Sequence, residues 1–259
     1  MEVVAIPAFA DNYIWAIVHT EKQCCILVDP GCPEAALDFL RQHHYQLTDV
    51  LITHYHPDHT GALAELREQY APVIHAPPHP SLPKNIHLVY DNEILDLAAY
   101  GLKFSVIATP GHTLDHVCYS EVDQGWLFSG DTLFAGGCGR LFQGTAEQMY
   151  ASLNRLCDLA PNTQIYCAHE YTEANLRFAL SVEPDNIALQ QSLASVKTQC
   201  ARNQITLPST LLTELRTNPF LRCDQVEFRE QLAKHLNQPC FSPIQAFTQL
   251  RAHKDQWNG

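Results

Sequence analysis

The sequence predicts sheets covered by helices, an α/β or layered sandwich, with a smaller all-helical segment after it. Three observations carry this. Short apolar runs bounded by Gly, Pro, Asp or Asn recur through the first two thirds of the chain. Helical stretches separate them, and strands with interspersed helices imply covered sheets. From about residue 170 the apolar spacing turns to that of helices.

The strand candidates are VVAIPAF, YIWAIV, CCILVD, VLITH, LKFSVIATP, GWLFSGD and QIYCAH, each rich in β-branched or aromatic residues. Helices are expected over Pro33–His44, His59–Tyr70 and Ala146–Cys157. In the last part Leu189, Leu193, Val196 and Cys200 form one helical stripe. Asp224 and Glu227 read as a capping box, and Ser242 before Pro243 reads as a helix start.

Composition divides the chain at the same place. Residues 1–169 carry 7 Lys and Arg against 19 Asp and Glu, whereas residues 170–259 carry 9 of each. Of the 14 histidines, 12 lie in the first part. Two domains are therefore expected, 1–169 and 170–259. The net charge of −12 argues against nucleic acid, which needs a basic face. No run approaches the ~18 apolar residues of a membrane span. The opening residues lack the basic region of a secretory signal, so a cytoplasmic location is expected. None of the 10 cysteines stands as C-x-x-C, and they read as reduced thiols packed as small apolar groups.

The residues that carry chemistry begin at Thr53-His54-Tyr55-His56-Pro57-Asp58-His59, directly after the run VLI. His54 and His56 are two apart, so in extended chain both imidazoles point the same way. Pro57 ends that segment, and Asp58 and His59 stand where a helix begins. Such crowding of imidazoles and carboxylate repels and desolvates itself unless a cation is present. Three further apolar strands end in a donor: His112 after FSVIATPG, Asp131 after WLFSG and His169 after QIYCA. Five His and two Asp are too many for one tetrahedral ion. They suit two adjacent ions, each with an open position, which marks a catalytic rather than a structural site. Two ions about 3.5–4 Å apart lower the pKa of a water towards ~7, and the resulting hydroxide can attack an acyl carbon. No G-x-S-x-G elbow supplies an alternative nucleophile. The residues alone thus point to metal-dependent hydrolysis.

T-H-x-H-x-D-H, then P-G-H-T, then G-D-T and a late His, resembles the metallo-β-lactamase superfamily, which implies an α+β αββα sandwich. More narrowly, the chain resembles the glyoxalase II family, the hydroxyacylglutathione hydrolases. The marks are Ala10-Asp11-Asn12-Tyr13, Asp29-Pro30-Gly31, Ser129-Gly130-Asp131-Thr132-Leu133-Phe134 through Gly136-Gly137-Cys138-Gly139-Arg140, Cys167-Ala168-His169-Glu170-Tyr171-Thr172, Asn218-Pro219-Phe220-Leu221-Arg222 and Arg251-x-x-Lys254-Asp255. The resemblance implies one ion on His54, His56 and His112, a second on Asp58, His59 and His169, and Asp131 bridging. Asp58 and Asp131 are then the carboxylates nearest the reacting water, and Asp29 a carboxylate behind the ligands. The ions would be zinc, with iron or manganese as alternatives. The implied substrate is a glutathione thioester, notably S-D-lactoylglutathione, cleaved to glutathione and D-lactate in methylglyoxal detoxification by a monomer. Arg140, Tyr171, Arg251 and Lys254 would bind the glutathione part. Phe142 stands where some members have Tyr, Asp115 where many have Gly, and Tyr55 and Pro57 also depart from common types. Rival expectations are another hydrolase or an iron dioxygenase on the same fold, or a non-catalytic metal binder.

Overall fold

The computed structural model describes residues 1–257 and divides into two compact units. The first holds Met1–Ala108 and Asp115–Gly130. The second holds Thr109–Leu114 and the chain from Asp131 onward.

In the first unit one sheet runs in spatial order β1 (Glu2–Ala8), β2 (Asn12–His19), β3 (Cys24–Val28), β4 (Gln46–Leu51), β5 (Val73–Ala76), β6 (His87–Leu88). β1 to β3 pair antiparallel, and β3 to β6 pair parallel. Helices α1 (Pro33–His43), α2 (Pro57–Thr60) and α3 (Leu63–Tyr70) fall in the connections. Parallel pairing requires crossovers of this kind. β2 is buried along both faces, hence its near-continuous apolar run. Ile14, Ala16 and Val18 share one core cluster with Ala36, Leu37 and Leu40 of α1 and Leu63 and Leu66 of α3. Alternate residues of a strand face opposite ways, which leaves Tyr13, Trp15 and Ile17 for the other face.

A second sheet in this unit is an antiparallel meander of β7 (Ile94–Leu97), β8 (Leu102–Ala108), β9 (Val117–Glu121) and β10 (Trp126–Gly130). The buried Tyr119 hydroxyl on β9 lies 2.9 Å from the Ile52 carbonyl and 3.2 Å from that of His75, so this one donor links the two layers.

The second unit contains the hairpin β11 (Leu133–Phe134) and β12 (Gly137–Cys138), helix α4 (Ala146–Cys157), and the antiparallel pair β13 (Gln164–Cys167) and β14 (Ser209–Thr210). It also contains α5 (Thr172–Val182), α6 (Ile187–Cys200), α7 (Leu211–Thr217), a 3-10 turn over Pro219–Leu221, α8 (Val226–Leu236) and α9 (Pro243–Gln256). Leu189, Leu193 and Val196 pack with Leu176 and Ala179 of α5, as the stripe predicts. Ser242 caps α9 by accepting from the Gln245 amide at 3.2 Å.

Three local expectations are corrected. The helix expected over His59–Tyr70 is two helices, one ending at Thr60 and the next starting at Leu63; Gly61 between them keeps helical φ and ψ (−61°, −24°), and a Cβ on it would lie 2.4 Å from the Gly31 carbonyl oxygen. Asp224 does not cap α8. Gln225 is the extended residue before Val226 and no side chain caps there. The segment after residue 170 is helical apart from the two-residue strand β14.

Among the described residues no cysteine is in a disulfide. Burial pushes the Cys25 and Cys167 thiols up to about 12, so they pack as apolar groups rather than as thiolates. No helix is long and apolar enough to cross a membrane, among the described residues.

Candidate metal centre

The chain leaves β4 through Ile52 and Thr53 into the donor-rich turn of the first unit. His54 and His59 are fully buried. His54 Nε2 lies 3.0 Å from His56 Nδ1, and the His54 and His59 ring centroids are 4.1 Å apart. His59 Nε2 lies 3.5 Å from Asp58 Oδ2, which also accepts from Asn12 Nδ2 at 3.1 Å. Neighbouring lone pairs packed this closely suit a shared cation.

Asp29 organises this turn. It is buried and left-handed, φ 52°, a region that Asp and Asn tolerate best among non-glycine residues. Its Oδ1 accepts from the Thr53 amide at 2.8 Å and its Oδ2 from the Thr53 hydroxyl at 2.7 Å. Since that hydroxyl proton points at Asp29, Thr53 Oγ1 receives Nδ1–H of His54 at 3.1 Å, and His54 Nε2 keeps its lone pair. Asp29 Oδ2 also lies 3.0 Å from His59 Nδ1, favouring a proton there and turning Nε2 toward Asp58. Gly31 allows the approach: a Cβ there would sit 1.7 Å from the Asp58 carbonyl oxygen.

The second unit carries His112, Asp131 and His169, all buried. Asp131 turns one oxygen to each imidazole: Oδ2 is 3.3 Å from His112 Nε2 and Oδ1 is 3.5 Å from His169 Nε2. The Arg140 carbonyl lies 2.8 Å from His112 Nδ1. A carbonyl can only accept, so Nδ1 carries a proton, and this orientation turns Nε2 to Asp131. His169 is stacked on Tyr171 at 4.8 Å and 6°.

Both clusters therefore offer imidazole nitrogens and carboxylate oxygens, and several of the rings have the second nitrogen held by an acceptor. That is the arrangement of metal-ligating histidines, and it fits a divalent cation.

The residues expected to meet substrate are all in the second unit. Phe142 is 61% exposed, sets its ring edge against His112 at 5.2 Å, and lies beneath the Arg140 guanidinium at 5.7 Å. Tyr171 is partly exposed. Lys254 Nζ is 4.7 Å from the Phe178 ring and 4.5 Å from that of Trp257. Burial, and then Arg251, push its ammonium down to about 8. Lys254 lines a cavity of about 650 Å³ with Glu170, Glu173, Arg177 and Trp257. Arg251 is only 7% exposed. Its Nη1 donates to the Cys138 carbonyl at 3.1 Å and its Nη2 to Asp255 at 2.9 Å, so this guanidinium is engaged within the protein.

Sequence reasoning passed over three neighbours. Asn12 holds Asp58, the Arg140 carbonyl orients His112, and buried His116 stacks on His54 at 4.9 Å. Asn12 was in a quoted motif, but no spacing rule signals a backbone carbonyl.

Comparison with known proteins agrees with this chemistry. The family model for the metallo-beta-lactamase superfamily matches residues 10–169, and that for the hydroxyacylglutathione hydrolase C-terminus matches residues 170–257. The hydroxyacylglutathione hydrolase of Pseudomonas savastanoi pv. phaseolicola is 46% identical over 260 residues, covering 99% of this chain and 100% of its own. That of Idiomarina loihiensis is 45% identical over 255 residues, covering 98% and 99%. Among solved structures, ETHE1 from Myxococcus xanthus is similar in fold, with a TM-score of 0.65, 24% identity and 98% of each chain covered. Over its full matched length, therefore, this chain belongs to the metallo-beta-lactamase superfamily and, within it, to the hydroxyacylglutathione hydrolases.

Proposed function

We propose that this protein hydrolyses glutathione thioesters, with S-D-lactoylglutathione cleaved to glutathione and D-lactate as the second step of methylglyoxal detoxification. The carrying observation is full-length identity of about 45% to hydroxyacylglutathione hydrolases together with both donor clusters. His54, His56 and His112 would hold one ion, Asp58, His59 and His169 the other, with Asp131 shared. We read the ions as zinc, with iron or manganese able to use the same donors. Bound there, a pair of divalent ions supplies water ionised near neutral pH and a Lewis acid for a carbonyl oxygen.

The protein's own groups do the rest. Asp29 and the Arg140 carbonyl keep His59 and His112 in the ligating tautomer. Asp58 and Asp131 are the carboxylates beside the reacting centre. The leaving group is a thiolate of pKa roughly 8.5, so departure needs no strong general acid. Arg140, Tyr171 and Lys254 bind the peptide part of glutathione, and Phe142 borders the same side. Arg251 serves that side by anchoring Cys138, and reaches a substrate carboxylate only through the hydrogens not given to Cys138 and Asp255.

The division at 169/170 is taken as functional: metals before it, glutathione contacts mostly after it. It is supported by the two family models, which meet there. Ten free thiols fit a reducing cytoplasm, and one chain supplies all seven ligands, so a monomer suffices. The test is thiol release from S-D-lactoylglutathione, with metal analysis of the same sample. Two ions per chain and chelator-sensitive release are expected. No release with both ions loaded, or one iron with oxygen consumption, would overturn the reading.

A further inference from the structure

The segment Phe134–Cys138 lies between the donor Asp131 and the carbonyl of Arg140, and its backbone is held by side chains of the helices. Asn218 Nδ2 donates to the carbonyls of Phe134 at 3.2 Å and Gly137 at 2.9 Å, while its Oδ1 accepts from the Phe220 amide at 3.1 Å. Glu214 Oε2 accepts from the Gly136 amide at 2.7 Å and from Asn218 Nδ2 at 3.0 Å. Asn175 Nδ2 donates to the Ala135 carbonyl and Arg251 Nη1 to that of Cys138, each at 3.1 Å. Of the five residues 134 to 138, four thus have their carbonyls satisfied from α5, α9 or Asn218, and Gly136 has its amide satisfied from α7. All four side chains are buried, Asn218 completely. Buried polar networks of this kind are rigid when every member is paired and costly when one is lost.

The far end of the segment touches the metal donors. The Gly139 amide donates to the Thr132 carbonyl at 3.1 Å. A Cβ on Gly139 would lie 1.9 Å from the Asp131 carbonyl oxygen and 3.3 Å from His112 Cβ. The Arg140 carbonyl receives His112 Nδ1–H at 2.8 Å, and the amides of Phe142 and Gln143 donate to the His112 carbonyl at 3.2 and 3.3 Å.

We propose that Asn218 and Glu214 are positioning residues for the metal centre: by fixing Phe134, Gly136 and Gly137 they hold the strap whose Gly139 abuts Asp131 and whose Arg140 carbonyl sets the tautomer of His112. This rests on the reading of His112 and Asp131 as metal ligands. Neither residue touches substrate or the reacting atoms, and no sequence spacing links position 218 to position 112. The consequence is that the helices following residue 170 determine metal affinity as well as substrate binding.

The test uses the full chain carrying Asn218→Ala, with Glu214→Gln as a second variant that keeps the side chain's size. Removing partners that orient metal ligands typically costs about 10–100-fold in metal affinity or activity. Zinc affinity by chelator competition, or kcat, is expected to fall by about that factor with KM little changed. In histidine-labelled protein, the ¹⁵N resonance of His112 Nδ1, assigned by its loss in His112→Gln, should shift or broaden. A lowered melting temperature alone, with zinc affinity, kcat and the His112 resonance unchanged, would overturn the proposal. If Asn218→Ala does not fold, Glu214→Gln is read on the same three measurements. Wild-type protein that releases no thiol would sink the assigned reaction, whereas the His112 resonance would still report on the strap.

Discussion

Asp29 Oδ2 lies 3.0 Å from Nδ1 of His59, and Asp29 reaches it from a left-handed backbone, φ 52°. Asp29→Asn keeps a side chain that tolerates this conformation but replaces a carboxylate with an amide. Zinc affinity is expected to fall about 10–100-fold, and the melting temperature to fall as well, since the amide NH2 replaces an acceptor of the Thr53 and His59 donors. Chelator competition and thermal melting on one sample check both halves.

Gly31→Ala tests the close approach beneath Asp58. The added carbon would lie 1.7 Å from the Asp58 carbonyl oxygen, so the Asp58–His59 turn must move. A misplacement of about 1 Å can cost about 10²-fold in rate. Activity should drop by at least that factor, with loss of one bound ion per chain by elemental analysis.

His54→Ala and Asp131→Ala should each abolish thioester hydrolysis and lower the bound metal. Asp131 faces both His112 and His169, so its loss should cost more metal than that of His54. Wild-type turnover in a metal-free variant would contradict the assignment.

Lys254 supplies a pH signature. Its ammonium is held down to about 8, so the charge that would meet a substrate carboxylate is lost as pH rises through about 8. KM should rise above that pH with kcat steady, and Lys254→Arg should flatten the dependence. The sign for stability is opposite. A lysine with a lowered folded pKa is disfavoured while charged, so its penalty is present below about 8 and is relieved between about 8 and the unfolded value of 10.5. Initial rates and denaturant melts across pH 7 to 10 separate the two effects.

Ser242 caps α9 through the Gln245 amide. Ser242→Ala should lower stability by about 1 kcal/mol, within the usual range of ~0.5–2. Urea unfolding measures it. Because α9 carries Arg251 and Lys254, a rise in KM should accompany the loss.

The candidate donors were legible because they are local: His54, His56, Asp58 and His59 stand in six residues, and His112, Asp131 and His169 each follow an apolar strand within four residues. The α6 stripe and the Ser242 cap were also legible, since both follow helical spacing. β5, β7 and β9 were passed over. β5 and β7 are only four residues each, and β9 carries Ser120 and Glu121 within its five, so none stands out as an apolar run. The close approach of Gly61 to the Gly31 carbonyl joins positions thirty residues apart, which no local spacing signals. Arg251 is expected to bind glutathione through the family resemblance, and its engagement within the protein is a separate, long-range fact. Its partner, the Cys138 carbonyl, is 113 residues away and leaves no trace in any local pattern. The same holds for Asn218 and Glu214.

The Tyr119 hydroxyl between the Ile52 and His75 carbonyls has a mechanical meaning. Ile52 is separated from His54 by Thr53 alone, so the donor that ties the two layers together sits two residues from the first imidazole. A change in the spacing of the layers at Tyr119 would therefore reach His54 across that single residue.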